Sequence, residues 1–461
     1  MQPESIMPEK TARAIADAHG TPTFVIREKV LKDNYARFCR AFTDNYHRVM
    51  VPYSVKTNYL PAILRILHAN GAGMEVVSGF ELYLALKIGV PPEKIIYNGP
   101  SKTMEELELA VENDILLINA DSMNEVRRIQ TVAARHGKKV NVGIRVNIES
   151  LTWKKFGIPL AHAPQVFQSA RGLKNIQLSG LHAHIGTGIR NPGVYVATLK
   201  HLLELMVKLA ESGIWINFLD IGGGFPAAGV GKWPDRDRFI DALSKRLIRK
   251  SRFRAFGRVM NWFKSTRPVF SNPPEIESYA QKICGALKEK VKDYALPEPA
   301  LILEPGRAVV NNAVTLLVRV LDIKNFDEKW VMVDGGINLV PALEHAAYRV
   351  NNVSGRGAEL ETVTVAGPLC MESDVVCRSA QLPPVREGDI LEVLDAGAYS
   401  MCRSMQFIRP RAGAVLLAEN GEIHKVWHRE NYEDLIRLDC PFGRESAPTV
   451  SREAAPAPFY Q

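Results

Sequence analysis

The sequence lacks the features that mark membrane proteins, disulfide-rich secreted proteins and secretory precursors. No run of 18 apolar residues occurs among its 461 residues, so we expect no transmembrane helix. Six cysteines without a CxxC pair are too few for a disulfide framework, which predicts reduced thiols and a cytoplasmic location. The first ten residues, MQPESIMPEK, lack the apolar stretch of a secretory signal.

Acidic residues are absent from residues 242–274, which carry nine lysines or arginines. Those nine exceed the net charge of +8, so the rest of the chain is nearly neutral. The basic character therefore belongs to one segment. Because this segment contains no recognised nucleic-acid-binding motif, we expect no nucleic-acid partner.

What the chain does contain is the composition of a soluble globular protein, with 46% hydrophobic and 23% charged residues. Between residues 48 and 307, short apolar strands alternate with amphipathic helical segments, which implies parallel strand pairing. Eight such units predict a closed (β/α)8 TIM-like barrel, with an open doubly wound sheet as the competing fold. The predicted strands are 48–56, 73–79, 94–100, 115–121, 140–147, 178–186, 217–224 and 300–307.

Beyond about residue 310 strands follow one another without long helices, which predicts a C-terminal antiparallel β-domain. We expect residues 1–27 to add a strand to this β-domain, which spans 311–440. The barrel then occupies 28–310, with a basic insertion at about 227–274. Residues 441–461 are rich in proline, alanine and serine and are predicted to be a disordered tail.

Polar residues stand at the ends of the predicted barrel strands. In a barrel these ends converge on one face, where active sites lie. Strand ends often carry polar residues for no functional reason, but this set supplies a lysine, a histidine, a triple glycine and a Glu-Pro-Gly-Arg sequence. Its members are Lys56, Ser78, Asn98, Arg145, His184, Gly222, Gly223, Gly224, Glu304 and Arg307.

Eight short segments together resemble a known family. They appear in the same order as in the fold-type III pyridoxal-phosphate decarboxylases, the family of diaminopimelate and ornithine decarboxylases, and the likeness spans roughly residues 20–440. The resemblance implies pyridoxal 5′-phosphate as cofactor, amino-acid decarboxylation and a homodimer with shared active sites. The segments are YSVKTN (53–58), VVSGFEL (76–82), KFGIP (155–159), GLHAHIGTG (180–188), DIGGGFP (220–226), LEPGR (303–307), AGPLC (366–370) and LDAGAYS (394–400).

Lys56 is the residue on which this interpretation depends. A lysine at the end of a barrel strand can form a Schiff base with an aldehyde, provided that its pKa is lowered so that the amine is free. A surface lysine is the plain alternative. The resemblance implies that Lys56 is the Schiff-base and catalytic lysine.

A phosphate group requires backbone N–H donors and a cation. Gly222, Gly223 and Gly224 follow a strand and could approach an anion closely, although a triple glycine is more often a tight turn. Gly306 and Arg307 offer a further N–H and a bidentate guanidinium. The resemblance implies that both loops hold the cofactor phosphate, with Thr187 and Tyr399.

The resemblance gives Glu304 a different role, that of partner to the ring nitrogen of the cofactor, with a salt bridge to Arg307 as the alternative. It implies that His184 stacks on the cofactor ring. We expect no metal at His182 and His184, because no acidic or cysteine residue lies at ligand spacing. The family positions Glu75, Glu81, Arg145 and Lys155 receive no firm role.

Cys370 matches the family cysteine that enters the active site of the partner subunit and protonates the carbanion; a lone cysteine would otherwise be a buried apolar residue. Diaminopimelate decarboxylases usually read Cys-Glu-Ser-Gly-Asp here. This chain instead continues with methionine, Glu372, serine and Asp374, so the acids are shifted in register. We assign Glu372 and Asp374 tentatively to substrate binding.

A second departure concerns the substrate. Where diaminopimelate decarboxylases carry Arg-Pro-Ala-Leu-Tyr, whose arginine and tyrosine bind a carboxylate, this chain reads Val340-Pro-Ala-Leu-Glu344. An acid in place of a cation disfavours a carboxylate at that position. We therefore expect a diamino acid or a derivative as substrate, with Glu344 as a tentative contact.

Alternatives remain open for the function of the whole chain. They are diaminopimelate decarboxylation in lysine biosynthesis, an alanine racemase-like reaction and a non-catalytic protein that binds pyridoxal phosphate. The substrate could be free or carrier-bound. The basic segment 242–274 could be a solvated helix, or it could contact an acidic partner or an anionic membrane surface.

Overall fold

The computed structural model describes residues 7–148, 155–232, 269–270, 272–341, 347–355 and 357–439. Most of the basic segment 242–274, the tentative substrate residue Glu344 and the predicted tail 441–461 lie outside these ranges. Among the helices that the structure describes, none combines the length and apolarity needed to span a bilayer.

The first elements are helix α1 (Glu9–His19), strand β1 (Thr23–Arg27) and helix α2 (Glu28–Thr43). Leu31, Tyr35, Phe38 and Phe42 place an apolar stripe of α2 toward the interior at helical spacing. Strand β1 does not pair with the strands that follow it directly in the chain. It pairs instead with strands much later in the sequence.

The strands of the first half form a closed parallel barrel, which confirms the predicted fold class. The first barrel strand is split into β2 and β3: β2 pairs with β13, and β3 pairs with β4, so the first and last strands meet. The bounds are β2 (Val49–Met50), β3 (Tyr53–Ser54), β4 (Met74–Val76), β5 (Ile95–Tyr97), β6 (Leu117–Ala120), β7 (Val140–Asn147), β8 (Ile158–Pro159), β9 (Ile176–His182), β10 (Phe218–Asp220), β11 (Gly231–Lys232), β12 (Val269–Phe270) and β13 (Ala300–Ile302).

Three of these strands lie outside the barrel wall. β8 adds two residues beside β7, and β11 and β12 form a short antiparallel pair on either side of residues 233–268. The insertion predicted after the seventh barrel strand therefore begins and ends at one short ladder.

Helices follow the barrel strands and cover the barrel with their apolar faces. Ser78, Thr103 and Ser122 each accept a hydrogen bond from the backbone N–H three residues later, which satisfies a donor at the start of the helix that follows. The helices are α3 (Pro61–Ala69), α4 (Gly79–Lys87), α5 (Met104–Glu112), α6 (Met123–Arg135), α7 (Ala163–Ala170), α8 (Gly193–Glu211), α9 (Ile276–Asp293) and α10 (Arg307–Val310).

The second sheet packs strands from both ends of the chain. Its order is β18-β17-β15-β14-β1-β20-β21, and β19 pairs with both β14 and β16. The bounds are β14 (Val314–Asn325), β15 (Lys329–Val333), β16 (Val350–Asn352), β17 (Glu361–Ala366), β18 (Val375–Leu382), β19 (Ile390–Val393), β20 (Gly413–Leu417) and β21 (Ile423–Trp427), followed by helix α11 (Tyr432–Ile436).

Most pairings in this sheet are antiparallel, as expected, but two are parallel. β1 pairs in parallel with β20, and β15 with β17. Parallel neighbours require a connection that crosses over the sheet, and both pairs join strands separated by other elements of the chain. The β-domain is therefore a mixed sheet.

Two glycines on neighbouring strands make room for a polar side chain inside the barrel. A Cβ at Gly143 would lie 1.9 Å from Asn119 Oδ1, and a Cβ at Gly180 would lie 2.9 Å from Gly143 Cα. Asn119 is 2% exposed. The barrel interior thus accommodates an amide where a larger neighbour would exclude it.

We predict that Gly143→Ala destabilises the protein by about 1–3 kcal/mol, because the added methyl group overpacks against Asn119. Urea denaturation measures the change in the free energy of unfolding. Gly172→Ala is the matched control, since nothing lies within 4 Å of a Cβ there. Equal stability of the two variants would contradict the close packing around Asn119.

Candidate active site

A cavity of about 580 Å³ lies at the carboxyl ends of the barrel strands. Its volume lies within the range of small-molecule and cofactor sites. Most of the predicted cofactor residues line it, namely Lys56, His184, Thr187, Gly223, Gly224, Glu304, Gly306, Arg307 and Tyr399.

Lys56 follows β3 and points to a carboxylate on the next strand. Its Nζ lies 2.8 Å from Oε2 and 3.1 Å from Oε1 of Glu75, and its side chain is 35% exposed. Ser54 Oγ and Asn98 Nδ2 also donate to Glu75, at 2.6 and 3.0 Å. Glu75, which received no role from the sequence, is therefore the group that orients the lysine.

The charge state of Lys56 differs from the sequence-based expectation. Burial alone would lower the pKa of Lys56, but the carboxylates of Glu75 and Glu304 raise it above its ordinary value. Burial alone would raise the pKa of Glu75, yet the Lys56 charge and the hydrogen bonds it accepts lower it. Both shifts favour the ion pair between a charged Lys56 and an ionised Glu75.

His184 lies beside the triple-glycine loop at the end of the sixth barrel strand. The backbone N–H of Gly223 donates to His184 Nδ1 at 3.4 Å. Burial, together with the charges of Lys56 and Arg145, lowers the pKa of His184 to about 4. A neutral imidazole on the cavity wall suits contact with a flat ring.

The two glycine loops form a cradle that side chains would fill. A Cβ at Gly223 would lie 2.4 Å from the carbonyl oxygen of Glu304, and one at Gly306 would lie 1.9 Å from Thr57 Oγ1. Thr57 Oγ1 is buried and has no hydrogen-bond partner among the described residues. The Arg307 guanidinium lies 5.2 Å from the ring of Tyr399. Glycine N–H groups, a hydroxyl and an arginine are the donors that a phosphate requires.

Glu304 is buried at the floor of the cavity beside a second carboxyl group. Asn98 Nδ2 donates to Glu304 Oε1, and a carboxyl oxygen of Asp220 lies within 4.8 Å of one of Glu304. Burial, and then the charges of Asp220 and Glu75, raise the pKa of Glu304 well above its ordinary value. Burial likewise raises the pKa of Asp220 to about 7. Both carboxyl groups are therefore protonated more readily than an exposed carboxyl group.

The fold also corrects an argument about metal binding. His182 lies with Asp220 and Glu304 in one buried cluster, whose potential ligand atoms are within 4.8 Å of one another. The argument from ligand spacing along the sequence misses these two acidic neighbours, because spacing does not register contacts across a barrel. The absence of a metal stays a prediction.

Arg145 lines the cavity wall, where it contacts an acidic and an aromatic side chain. Its Nη1 lies 3.6 Å from Asp121 Oδ1, and its guanidinium lies 4.6 Å from the ring centre of Phe156. Lys155 Nζ is 5.3 Å from the same ring. Arg145 and Lys155 thus give this side of the cavity a positive charge, partly balanced by Asp121.

The residues predicted around Cys370 do not reach this cavity within one chain. Cys370 and Glu372 are exposed on the loop between β17 and β18. Asp374 is buried and accepts backbone N–H donors from Ile337 and Leu369 at 2.8 and 2.7 Å. Asp374 therefore holds the shape of the loop that carries Cys370, and its oxygens face backbone donors.

Comparison with known proteins identifies the family. Residues 32–249 match the family model for the pyridoxal-binding domain of pyridoxal-dependent decarboxylases. The chain is 33% identical over 440 residues to a diaminopimelate decarboxylase of Methanothermobacter thermautotrophicus, with 92% of each chain covered. The chain belongs to the fold-type III pyridoxal-phosphate-dependent decarboxylases.

Further relatives and solved structures agree with this assignment. A diaminopimelate decarboxylase of Bacillus subtilis is 30% identical over 451 residues, with 93% of each chain covered. The crystal structure of a diaminopimelate decarboxylase from Methanocaldococcus jannaschii superposes with a TM-score of 0.80 at 30% identity and covers 93% of this chain and 94% of that one. The predictions of a decarboxylase and of pyridoxal phosphate as its cofactor are confirmed.

The residues in the cavity fit this cofactor. The glycine cradle, Thr57 and Arg307 match a phosphate, Lys56 matches the aldehyde, and buried Glu304 offers a proton site for a ring nitrogen. Pyridoxal phosphate supplies the electron sink that takes up the electron pair released when a carboxylate leaves as CO2.

Three side chains at the floor of the site were missed or given no role from the sequence. Glu75 and Asn98 stand at the ends of neighbouring barrel strands, and Asp220 lies two residues before the triple glycine. Their position at strand ends was the signal available in the sequence. Their hydrogen-bond partners could not be predicted, since those lie on other strands.

We predict that Lys56→Ala abolishes both the absorbance of the bound cofactor and turnover, because no other amine lines the cavity among the described residues. Borohydride reduction followed by peptide mapping should place the cofactor on Lys56 in the unaltered protein. Lys87→Ala, at an exposed position on α4, is the control. Decarboxylation at an undiminished rate by Lys56→Ala would contradict the assignment.

Proposed function

We propose that this enzyme decarboxylates an amino acid whose distal end carries an amine or a neutral group, such as a diamino acid or a derivative of one. The observation that carries the proposal is Val340. It is 1% exposed and packs in the main hydrophobic core, at the position where the family resemblance places a carboxylate-binding arginine. A buried apolar side chain offers a distal carboxylate no hydrogen bond.

Backbone hydrogen bonds hold the segment that contains Val340 in place. Its backbone N–H donates to Gly336 at 3.1 Å, and the neighbouring Ile337 N–H donates to Asp374. The segment is thus tied to the loop of Cys370. Glu344, the second position at which the chain departs from the family pattern, lies outside the described residues.

Decarboxylation of diaminopimelate is the second candidate. It is favoured by the names of the relatives from Methanothermobacter thermautotrophicus and Bacillus subtilis, which the chain matches over nearly their whole length. The two candidates differ in one group on the substrate, its distal carboxylate, so a comparison of substrates separates them.

We also propose that the active enzyme is a homodimer with shared sites. Among the described residues, no cysteine lines the cavity, whereas Cys370 is exposed on a loop with Met371, which is 44% exposed. A partner subunit could receive this loop at its cavity. Cys370 would then deliver a proton to the carbon from which CO2 has left, while Glu75 and Glu304 hold the lysine and ring-nitrogen protons.

Two further expectations belong with this proposal. We propose a cytoplasmic location, in line with the reduced cysteines.

We also propose that a carrier-bound substrate or another acidic partner contacts the basic segment 242–274. The short β11–β12 ladder at its base lies beside Ala347, since a Cβ at Gly231 would be 2.6 Å from the Ala347 carbonyl oxygen.

We predict that kcat/KM for meso-diaminopimelate is roughly ten- to a hundred-fold below that for the best diamino acid or derivative. A missing charged hydrogen-bond partner costs on the order of 1.5–3 kcal/mol. The measurement is CO2 release from a panel of diaminopimelate, ornithine, both enantiomers of lysine and N-acylated diamino acids. The diaminopimelate decarboxylase from Methanothermobacter thermautotrophicus serves as positive control. Diaminopimelate as the best substrate would overturn the proposal.

We predict that Lys56→Ala and Cys370→Ala subunits are each inactive alone but recover up to about a quarter of the activity when mixed. Random pairing makes half of the dimers mixed, and each mixed dimer contains one unaltered site. Subunit exchange is verified with differently tagged chains, and two Lys56→Ala preparations mixed together are the control. Exchange without recovery would show that each site is built from one chain.

A further inference from the structure

A connected network of buried polar side chains lies beneath the cavity. Asn98 Nδ2 donates both to Glu75 Oε1 and to Glu304 Oε1, so one amide joins the carboxylate that holds the lysine to the carboxyl group at the floor. Asn98 Oδ1 accepts from Asn119 Nδ2 at 2.8 Å, and the same nitrogen lies 3.3 Å from Asp220 Oδ2. All of these side chains except that of Lys56 are at most 4% exposed.

Asp220 and Glu304 are 1% and 3% exposed, and a carboxyl oxygen of one lies within 4.8 Å of a carboxyl oxygen of the other. An ionised carboxylate accepts hydrogen bonds and cannot donate one. The other contacts of Asp220 are donors, namely Asn119 Nδ2 and the backbone N–H of Gly222 at 2.8 Å. Two adjacent carboxylates in a dry interior would repel each other strongly, so one proton between them is the stable arrangement.

The titratable and charged groups that face this pair stand on or after four other barrel strands, β3, β4, β7 and β9. Glu75 on β4 and Lys56 after β3 form an ion pair and largely cancel. His182 on β9 is neutral, because burial and then the charge of Arg145 lower its pKa well below the usual value. Arg145 itself lies 3.6 Å from Asp121. The remaining charge beside a ring nitrogen at Glu304 is therefore that of the Asp220–Glu304 pair.

We propose that Asp220 is a positioning residue that acts through Glu304: it keeps a proton between Glu304 and the ring nitrogen of the cofactor up to high pH. One proton is shared by the pair. With the basic ring nitrogen against Glu304, that proton would lie on the nitrogen, and the two carboxylates would carry two negative charges beside the one positive charge of the ring. The second carboxylate holds the proton there by electrostatic attraction in a low-dielectric site.

Asp220 also connects this proton to the phosphate cradle. It lies two residues before the triple glycine, and its Oδ1 accepts the Gly222 N–H, while Gly222 has a positive φ of 69°. The same side chain therefore supports the left-handed turn of the glycine loop and the carboxyl group at the floor. This inference uses the cofactor of the family and is independent of the substrate proposal.

The decisive experiment follows the ring nitrogen directly. The 15N chemical shift of ring-labelled pyridoxal phosphate, bound to the full-length protein, reports whether the nitrogen is protonated at each pH. In the unaltered protein we expect a protonated nitrogen to above about pH 9. In Asp220→Asn the loss of the proton should move down by about one pH unit or more, since one unit corresponds to a tenfold change in proton affinity.

Ser179→Ala is the matched control. Ser179 is 1% exposed on β9, and its Oγ lies 3.4 Å from Asn141 Oδ1, away from the Glu304 network. Its substitution removes a buried polar group at similar depth without removing a charge, so the 15N titration should not move. Asp220→Ser is a second variant, because it removes the carboxyl group without placing an amide opposite the Asn119 donor.

The stability of the full-length protein after removal of the cofactor gives an independent readout. Burial raises the pKa of Asp220 from 3.8 to about 7, so its protonated form is favoured in the folded state. The corresponding stability is present below about pH 4 and is lost as the pH rises through about 7. The urea midpoint should therefore fall between pH 5 and pH 8, and it should fall less in Asp220→Asn and Asp220→Ser than in Ser179→Ala.

These measurements can overturn the inference in two ways. A ring nitrogen that loses its proton below about pH 7 in the unaltered protein would exclude the proposed role without any variant. An unchanged 15N titration in Asp220→Asn or Asp220→Ser, with the cofactor still bound, would show that Asp220 supports the glycine turn only. Neither outcome depends on which amino acid is decarboxylated.

Discussion

The carboxylate of Glu75 has no exposed side-chain surface, so its charge must be balanced inside the protein. A buried ion is costly unless it is paired and hydrogen-bonded. Lys56, Ser54 and Asn98 supply one charge and the hydrogen bonds that balance it. These partners come from the ends of β3 and β5, on either side of Glu75 on β4, so the arrangement exists only when these three strands are paired. The position of the lysine therefore depends on the order of the surrounding strands.

Closure of the barrel also explains why small residues recur beside the polar ones. Gly143 leaves space for Asn119, Gly306 lies against Thr57, and Gly223 lies against the backbone of Glu304. Each glycine lets a polar group approach a neighbouring strand or loop at a distance that a side chain would prevent. Hydrogen bonds in this dry interior are strong when complete and expensive when broken. The same close packing that stabilises the barrel thus orients the groups that face the cofactor.

The β-domain contributes to the site through its loops. Asp374 accepts the N–H groups of Ile337 and Leu369, which ties the segment that ends at Val340 to the loop that carries Cys370. Tyr399, from the same domain, lines the cavity beside Arg307, and its N–H donates to the carbonyl oxygen of Thr57 at 2.9 Å. The two domains thus meet at the cofactor site.

The alternation of strands and helices, the lysine at a strand end and the glycine loops could all be read from local sequence, because strand period, turn chemistry and short motifs are local properties. The partners of the buried groups could not. Glu75 and Glu304 are joined by Asn98, and Asp220 meets Glu304, although these residues lie on strands far apart in the chain. A closed barrel brings remote strand ends together, and burial then decides which of them keep a proton. The ion pair of Lys56 with Glu75, the close approach of the two buried carboxyl groups and the two parallel pairings of the second sheet were consequently decided by the tertiary structure alone.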